Sequence, residues 1–208
     1  ASSRDIIALG MLASAVRRRL HGAEVTYLRV ADRQPDAVAG EFRILETPPT
    51  LDAAVEAVTN ARDVAGTTSL SAFCLFELGK LPEGLPVVLA ALKRAGPEMI
   101  DQPPVDRLTS PAEPPEALTD AGLQLARLTV AGIPDRPWVS VCCDVAALET
   151  RLRSIRVFAP LPRMIDAAHP TTGYEDVRRV AISRIVADNV PTIQVDWALY
   201  GPKLAQVA

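Results

Sequence analysis

Short β-branched or apolar runs alternate along this chain with longer stretches of helical periodicity, and that alternation leaves few folds open. "EVTYLRV" (24–30), "TTSLSAFCLF" (67–76), "PEMIDQ" (97–102), "WVSVCC" (138–143), "IRVFAPL" (155–161) and "TIQVDWAL" (192–199) read as strands. Helices are expected around them. In residues 4–20, Ile6, Leu9, Ala13, Val16 and Leu20 recur at spacings of three and four. Residues 50–66 have Thr50 as a cap and Gly66 as a stop. Residues 83–96 tolerate Pro86 in their first turn. Residues 116–132, 144–154 and 174–189 follow, and a further helix starts at Pro202. Strands that alternate with helices build a parallel sheet wrapped by helices. Six strand candidates, most followed by a helix, favour an α/β fold of the full or partial (β/α) TIM-barrel type, as one domain over 1–208.

Other features narrow the function. Residues 101–118 hold five prolines, which bars a regular element and predicts a loop or lid. No glycine-rich turn follows the first strand, so a dinucleotide fingerprint is absent. Nucleophile-elbow, phosphate-loop and Cys-x-x-Cys motifs are missing as well. A net charge of -3 argues against a nucleic-acid footprint. No apolar run approaches the ~20 residues of a membrane span. "SSRDIIALGMLASAVRRRL" carries its charges after the apolar stretch, the reverse of a secretory leader. Three cysteines, Cys74, Cys142 and Cys143, give no even disulfide framework, so a reducing cytoplasm is expected. On a strand, Cys142 and Cys143 point to opposite faces and make poor joint ligands.

In a barrel, a site sits at the carboxyl ends of the strands. The residues just after the expected strands are Asp32 with Arg33, Glu77, Asp101 with Asp106, Asp144, and Arg163 with Asp166; Asp196 falls within the last strand. A ring of carboxylates there could hold a divalent cation. It could equally cap helices, and Asp144 is placed as an N-cap. His21 and His169 share no ligand spacing, so no metal ligands and no catalytic residue are assigned.

Both ends of the chain resemble a known group. "LGMLASAVRRRLHGAEVTY" (9–27) is similar to the helix and first strand that open the radical S-adenosylmethionine enzymes of menaquinone and deazaflavin biosynthesis: aminofutalosine synthase, dehypoxanthine futalosine cyclase and FO synthase. "GYEDVRRVAISRIVADNVPTIQVDWALYGPKLAQVA" (173–208) is similar to their C-terminal region and is the most specific part. "VFAPLP" (157–162) and "LSAFCLFELGKLPEGLPVVLAALKRAG" (70–96) also resemble segments of that group. In the family, the first strand runs into a Cys-x3-Cys-x2-Cys loop. Its thiolates bind a [4Fe–4S] cluster, which in turn binds S-adenosylmethionine. Here that loop reads "RVADRQPDAVAGEFRILETPP" and contains no cysteine.

The resemblance therefore implies a degenerate relative that keeps the barrel scaffold in shortened form, without the cluster, the cofactor or the radical chemistry. It places Glu77 and Asp106 near the family's pocket. Tyr27, Arg29 and Arg163 complete the expected ligand-binding set, and Arg29, Arg33 and Arg163 suit a substrate carboxylate. Three functions compete. The first is an accessory barrel of the futalosine route that binds a nucleoside-type ligand or a partner enzyme. The second is an enzyme with changed chemistry, using carboxylates at the barrel mouth. The third is a homo-oligomer formed through the sheet edge that a shortened barrel exposes.

Overall fold

A computed structural model describes residues 5–32, 36, 38–105, 116–164 and 170–208. The protein is α/β, and its sheets are parallel. In chain order the elements begin with α1 (Ile6–His21), β1 (Val30–Ala31), β2 (Glu41–Ile44), α2 (Leu51–Ala65), β3 (Ser69–Cys74) and α3 (Leu75–Leu78). Next come α4 (Leu85–Ala95), β4 (Met99–Asp101), α5 (Glu116–Asp120), β5 (Gln124–Leu125) and β6 (Leu128–Val130). The chain then forms α6 (Trp138–Leu152), β7 (Val157–Pro162), α7 (Gly173–Val186), β8 (Thr192–Ile193), α8 (Trp197–Tyr200) and α9 (Pro202–Val207). Among the described residues no helix is long and apolar enough to cross a membrane. These elements fall into two compact units.

The unit from Thr26 to Pro103, rejoined by the stretch that ends at Arg127, carries a five-stranded sheet in the order β1-β2-β3-β4-β5. Register sets Arg43 beside Ser71, Ser71 beside Met99 and Ile100 beside Leu125. Leu70, Ala72, Ile100 and Leu125 are fully buried. Helices α2 and α4 pack on each other and bury Ala54, Val58, Val88, Leu89 and Leu92. Their caps explain their limits. Thr50 Oγ1 accepts from Ala53 N at 3.3 Å, and Gly66 closes α2 onto Arg62 O. Arg62 also straps two turns together. Its Nη1 donates to Gly66 O and Thr68 O, and its Nη2 to Gly96 O and Glu98 Oε1. Glu98 Oε2 in turn accepts from Leu70 N at 2.7 Å. Gly96 ends α4 at φ 119, a conformation that suits glycine.

The other unit contains α1 and the chain from Leu128 onward. Its sheet has the order β6-β7-β8, with Leu128 beside Phe158 and Val157 beside Thr192. Helix α7 packs on α1, α6 and β7. Trp138 stacks on Phe158 with centroids 6.2 Å apart. A capping box opens α7: Glu175 N donates to Thr172 Oγ1, and Thr172 N donates to Glu175 Oε2.

Several expectations need correction. "WVSVCC" is not a strand but the start of α6. Val141, Cys142, Val145, Leu148 and Leu152 form its buried face, so helical packing overrides β-branched content. Asp144 consequently lies inside α6 and caps nothing. The helix expected over 116–132 stops at Asp120; Gly122 turns at φ 68, and β5 and β6 follow. Of "EVTYLRV" only Val30 enters a strand, and "TIQVDWAL" is strand only at Thr192–Ile193. Asp196 is instead the N-cap of α8, accepting from Ala198 N and Leu199 N. Strand β2 lies in a stretch read as no element. The proline-rich segment begins inside β4, at Asp101, and ends inside α5; residues 106–115 of it lie outside the described residues.

The capping box gives a direct test. Thr172→Ala removes an acceptor that two-sided capping depends on and should cost about 1 kcal/mol in urea unfolding, with the slope unchanged. A loss below about 0.3 kcal/mol would contradict the role assigned to the box.

Candidate functional site

Within the five-stranded unit, one face of the sheet carries charge where a core should be apolar. Glu41 and Arg43 are alternate residues of β2, so their side chains share a face. Ser71 is the register neighbour of Arg43 on β3, Asp101 ends β4, and Arg127 follows β5 by two residues. All five are buried: Glu41 is 4% exposed, Arg43 8%, Ser71 0%, Asp101 2% and Arg127 2%. Two carboxylates and two guanidinium groups leave the cluster neutral.

The groups hold one another. Ser71 Oγ donates to Glu41 Oε1 at 2.6 Å, and Arg43 Nε reaches the same oxygen at 3.4 Å. Arg127 spans both acids, with Nη1 3.3 Å from Asp101 Oδ1 and Nη2 3.5 Å from Glu41 Oε2. Asp101 Oδ2 lies 2.9 Å from Arg43 Nε, yet among the described residues no donor is aligned on it. Burial raises the Asp101 carboxyl above its ordinary range; Arg43 and Arg127 pull it back, and the Glu41 charge adds to the rise. A raised carboxyl among fork-shaped donors is an arrangement common to structural ion-pair networks and to acid–base sites.

The backbone beside the cluster is strained. Phe73, at φ 63, sits at the register shift between β3 and β4, and Gln102, at φ 47, follows Asp101. Neither residue type favours the left-handed region, and such outliers persist only where the surroundings dictate them. Cys74 Sγ approaches Gln102 O at 3.9 Å between them.

The residues expected to form the site are placed differently. Tyr27 is 81% exposed. Arg29 pairs with Asp36, and Glu77 pairs with Lys80 at 2.7 Å. Arg163 belongs to the other unit and pairs with Asp196 at 3.0 Å, which joins two of the strand-end residues. Asp144 pairs with Arg136, and Asp32 is exposed. Asp106, Arg33, Asp166 and His169 lie outside the described residues. Of the strand-end acids among the described residues, only Asp101 enters the buried cluster. The sequence pattern alone does not single out Glu41, Arg43 and Arg127. Their signal was a charge inside short apolar runs, "EFRIL" and "LARLTV".

Cys142 and Cys143 are not placed as joint ligands of one cluster. Cys142 and Cys143 are adjacent on α6, one buried and the other exposed. Cys142 lies 3.6 Å from Ser183 Oγ, and burial pushes its thiol up to about 12. Burial also raises Cys74. Among the described residues no group of three or more His, Cys, Asp or Glu is placed to hold a metal ion.

One measurement probes the quartet and another the packing of α6. Arg127→Met leaves two buried carboxylates to share Arg43 and should cost about 3–5 kcal/mol. Adding Asp101→Leu should recover part of that loss, and strict additivity would show that the two do not interact. A carboxyl raised on folding favours the folded state at low pH and loses that contribution as pH rises through its folded value. The deficit of Arg127→Met should therefore grow from the acid range toward neutrality. Separately, a thiol reagent at pH 8 should label Cys143 in the native protein and Cys142 only after unfolding. Equal rates at the two would contradict the packing of α6 on α7.

No protein-family model matches the chain, and no curated protein matches it.

Proposed function

We propose that the protein is a shortened (β/α) barrel derived from the radical S-adenosylmethionine enzymes of the futalosine route, and that it binds a small nucleoside-type ligand without radical chemistry. The observation that carries this reading is the buried quartet of Glu41, Arg43, Asp101 and Arg127 on the sheet face, in place of an apolar layer. Parallel strands in sequence order within each sheet, with helices along the chain between many of them, support the barrel geometry. The similarity of 9–27 and 173–208 to that enzyme group supports the ancestry, and the missing Cys-x3-Cys-x2-Cys loop supports the loss of the cluster.

The test is thermal unfolding with futalosine-type nucleosides, paired with an iron and sulfide assay after anaerobic purification. A ligand at 100 times its Kd adds about 2.7 kcal/mol, which raises the melting temperature by several degrees. No shift with any nucleoside of the route would overturn the binding role. Stoichiometric iron together with S-adenosylmethionine binding would restore the radical reading.

A second reading rests on Asp101, whose raised carboxyl beside Glu41 suits an acid or base in altered chemistry. It requires a turnover whose pH profile moves in Asp101→Asn while a folded spectrum is kept.

A further inference from the structure

A cleft of about 150 Å³ opens in the unit that carries α6 and α7, and it shares no residue with the buried quartet. That volume is below what drug-sized ligands occupy and suits a small molecule or one end of a larger one. Its walls come from three places: the loop after β6, which supplies Ile133 and Arg136; the first residue of α6, Trp138; and one face of α7. On α7 the positions 175, 178, 179 and 182 share a face by helical spacing, and all four line the cleft. We propose that this cleft binds a small oxyanion, a carboxylate or a phosphate, borne on an apolar body.

Three guanidinium groups, those of Arg136, Arg178 and Arg179, meet one carboxylate, Glu175, in the lining. The Glu175 carboxylate is already engaged: its Oε2 accepts from both the amide and the hydroxyl of Thr172 at 3.2 Å. Two of the arginines are held by acids that do not line the cleft. Arg136 donates Nη1 to Asp144, and Arg179 donates Nη1 to Asp176 at 3.4 Å. A guanidinium has five N–H donors, so one bond to a supporting carboxylate orients it and leaves others for a ligand. The wall is rigid as well. Trp138 Nε1 donates to Arg179 O at 3.1 Å and to Ser183 Oγ at 3.2 Å, and the ring stacks on Phe158. Trp138, Ile133 and Ile182 give the apolar body a surface, while the fork geometry of arginine matches the oxyanion.

The experiment uses Trp197→Phe, which leaves Trp138 as the one indole of the chain and therefore the reporter. Inorganic phosphate and benzoate are titrated separately at constant ionic strength, with fluorescence read at each step. Saturation by phosphate alone assigns a phosphate ligand; saturation by benzoate, alone or more tightly, assigns a carboxylate. Either should weaken at least tenfold in Arg136→Ala/Arg178→Ala and stay unchanged in Arg94→Ala, an exposed control on α4. If the double variant melts early, Arg178→Ala alone serves and should weaken binding severalfold. No saturable change with either probe, or saturation that ignores the cleft variants, overturns the proposal.

Discussion

Four charged side chains in the interior of one sheet can exist there only because they are together. A lone carboxylate or guanidinium at 2–8% exposure would carry a desolvation penalty of several kcal/mol. Glu41 and Asp101 supply two negative charges, Arg43 and Arg127 two positive ones, and Ser71 fills a remaining lone pair. The pairing also dictates register. Moving β2 by one residue would turn Glu41 and Arg43 to the opposite face and leave Asp101 and Arg127 without them. The cluster thus specifies strand alignment, a task that Ala, Val and Leu perform with less discrimination.

Specificity of this kind costs stability, and the surrounding core supplies it. Leu70, Ala72, Ile100 and Leu125 are fully buried along the same strands, and α2 and α4 add Val58, Val88, Leu89 and Leu92. Apolar burial of that density contributes on the order of 1.5–3 kcal/mol per large side chain. The strained backbone at Phe73 and Gln102 is held by the same packing, and it sits next to Asp101.

The fold is legible in the sequence where local chemistry decides structure. Helices α2 and α4 are legible because Thr50, Gly66 and Gly96 mark their ends and their apolar faces repeat at helical spacing. The fold is hidden where packing outweighs propensity. Val139, Val141, Cys142 and Cys143 look like a strand, but the buried face that continues to Leu152 makes them helix. The site was mostly hidden for a different reason. Asp101 was visible at a strand end, whereas Glu41 and Arg43 stand on a four-residue strand too short to show alternation. Arg127 fell inside a stretch whose periodicity resembled a helix, and only the sheet register brings the four together.

Arg62 has a consequence for how the molecule breathes. One guanidinium ties the turn before β3 to the turn before β4 through Gly66 O, Thr68 O, Gly96 O and Glu98, and Glu98 returns to the amide of Leu70. Loosening either turn breaks bonds made by the side chain that also holds the other. The entries to two adjacent strands are therefore coupled through one side chain, and their amides are expected to open together more than their separation of some thirty residues along the chain would suggest.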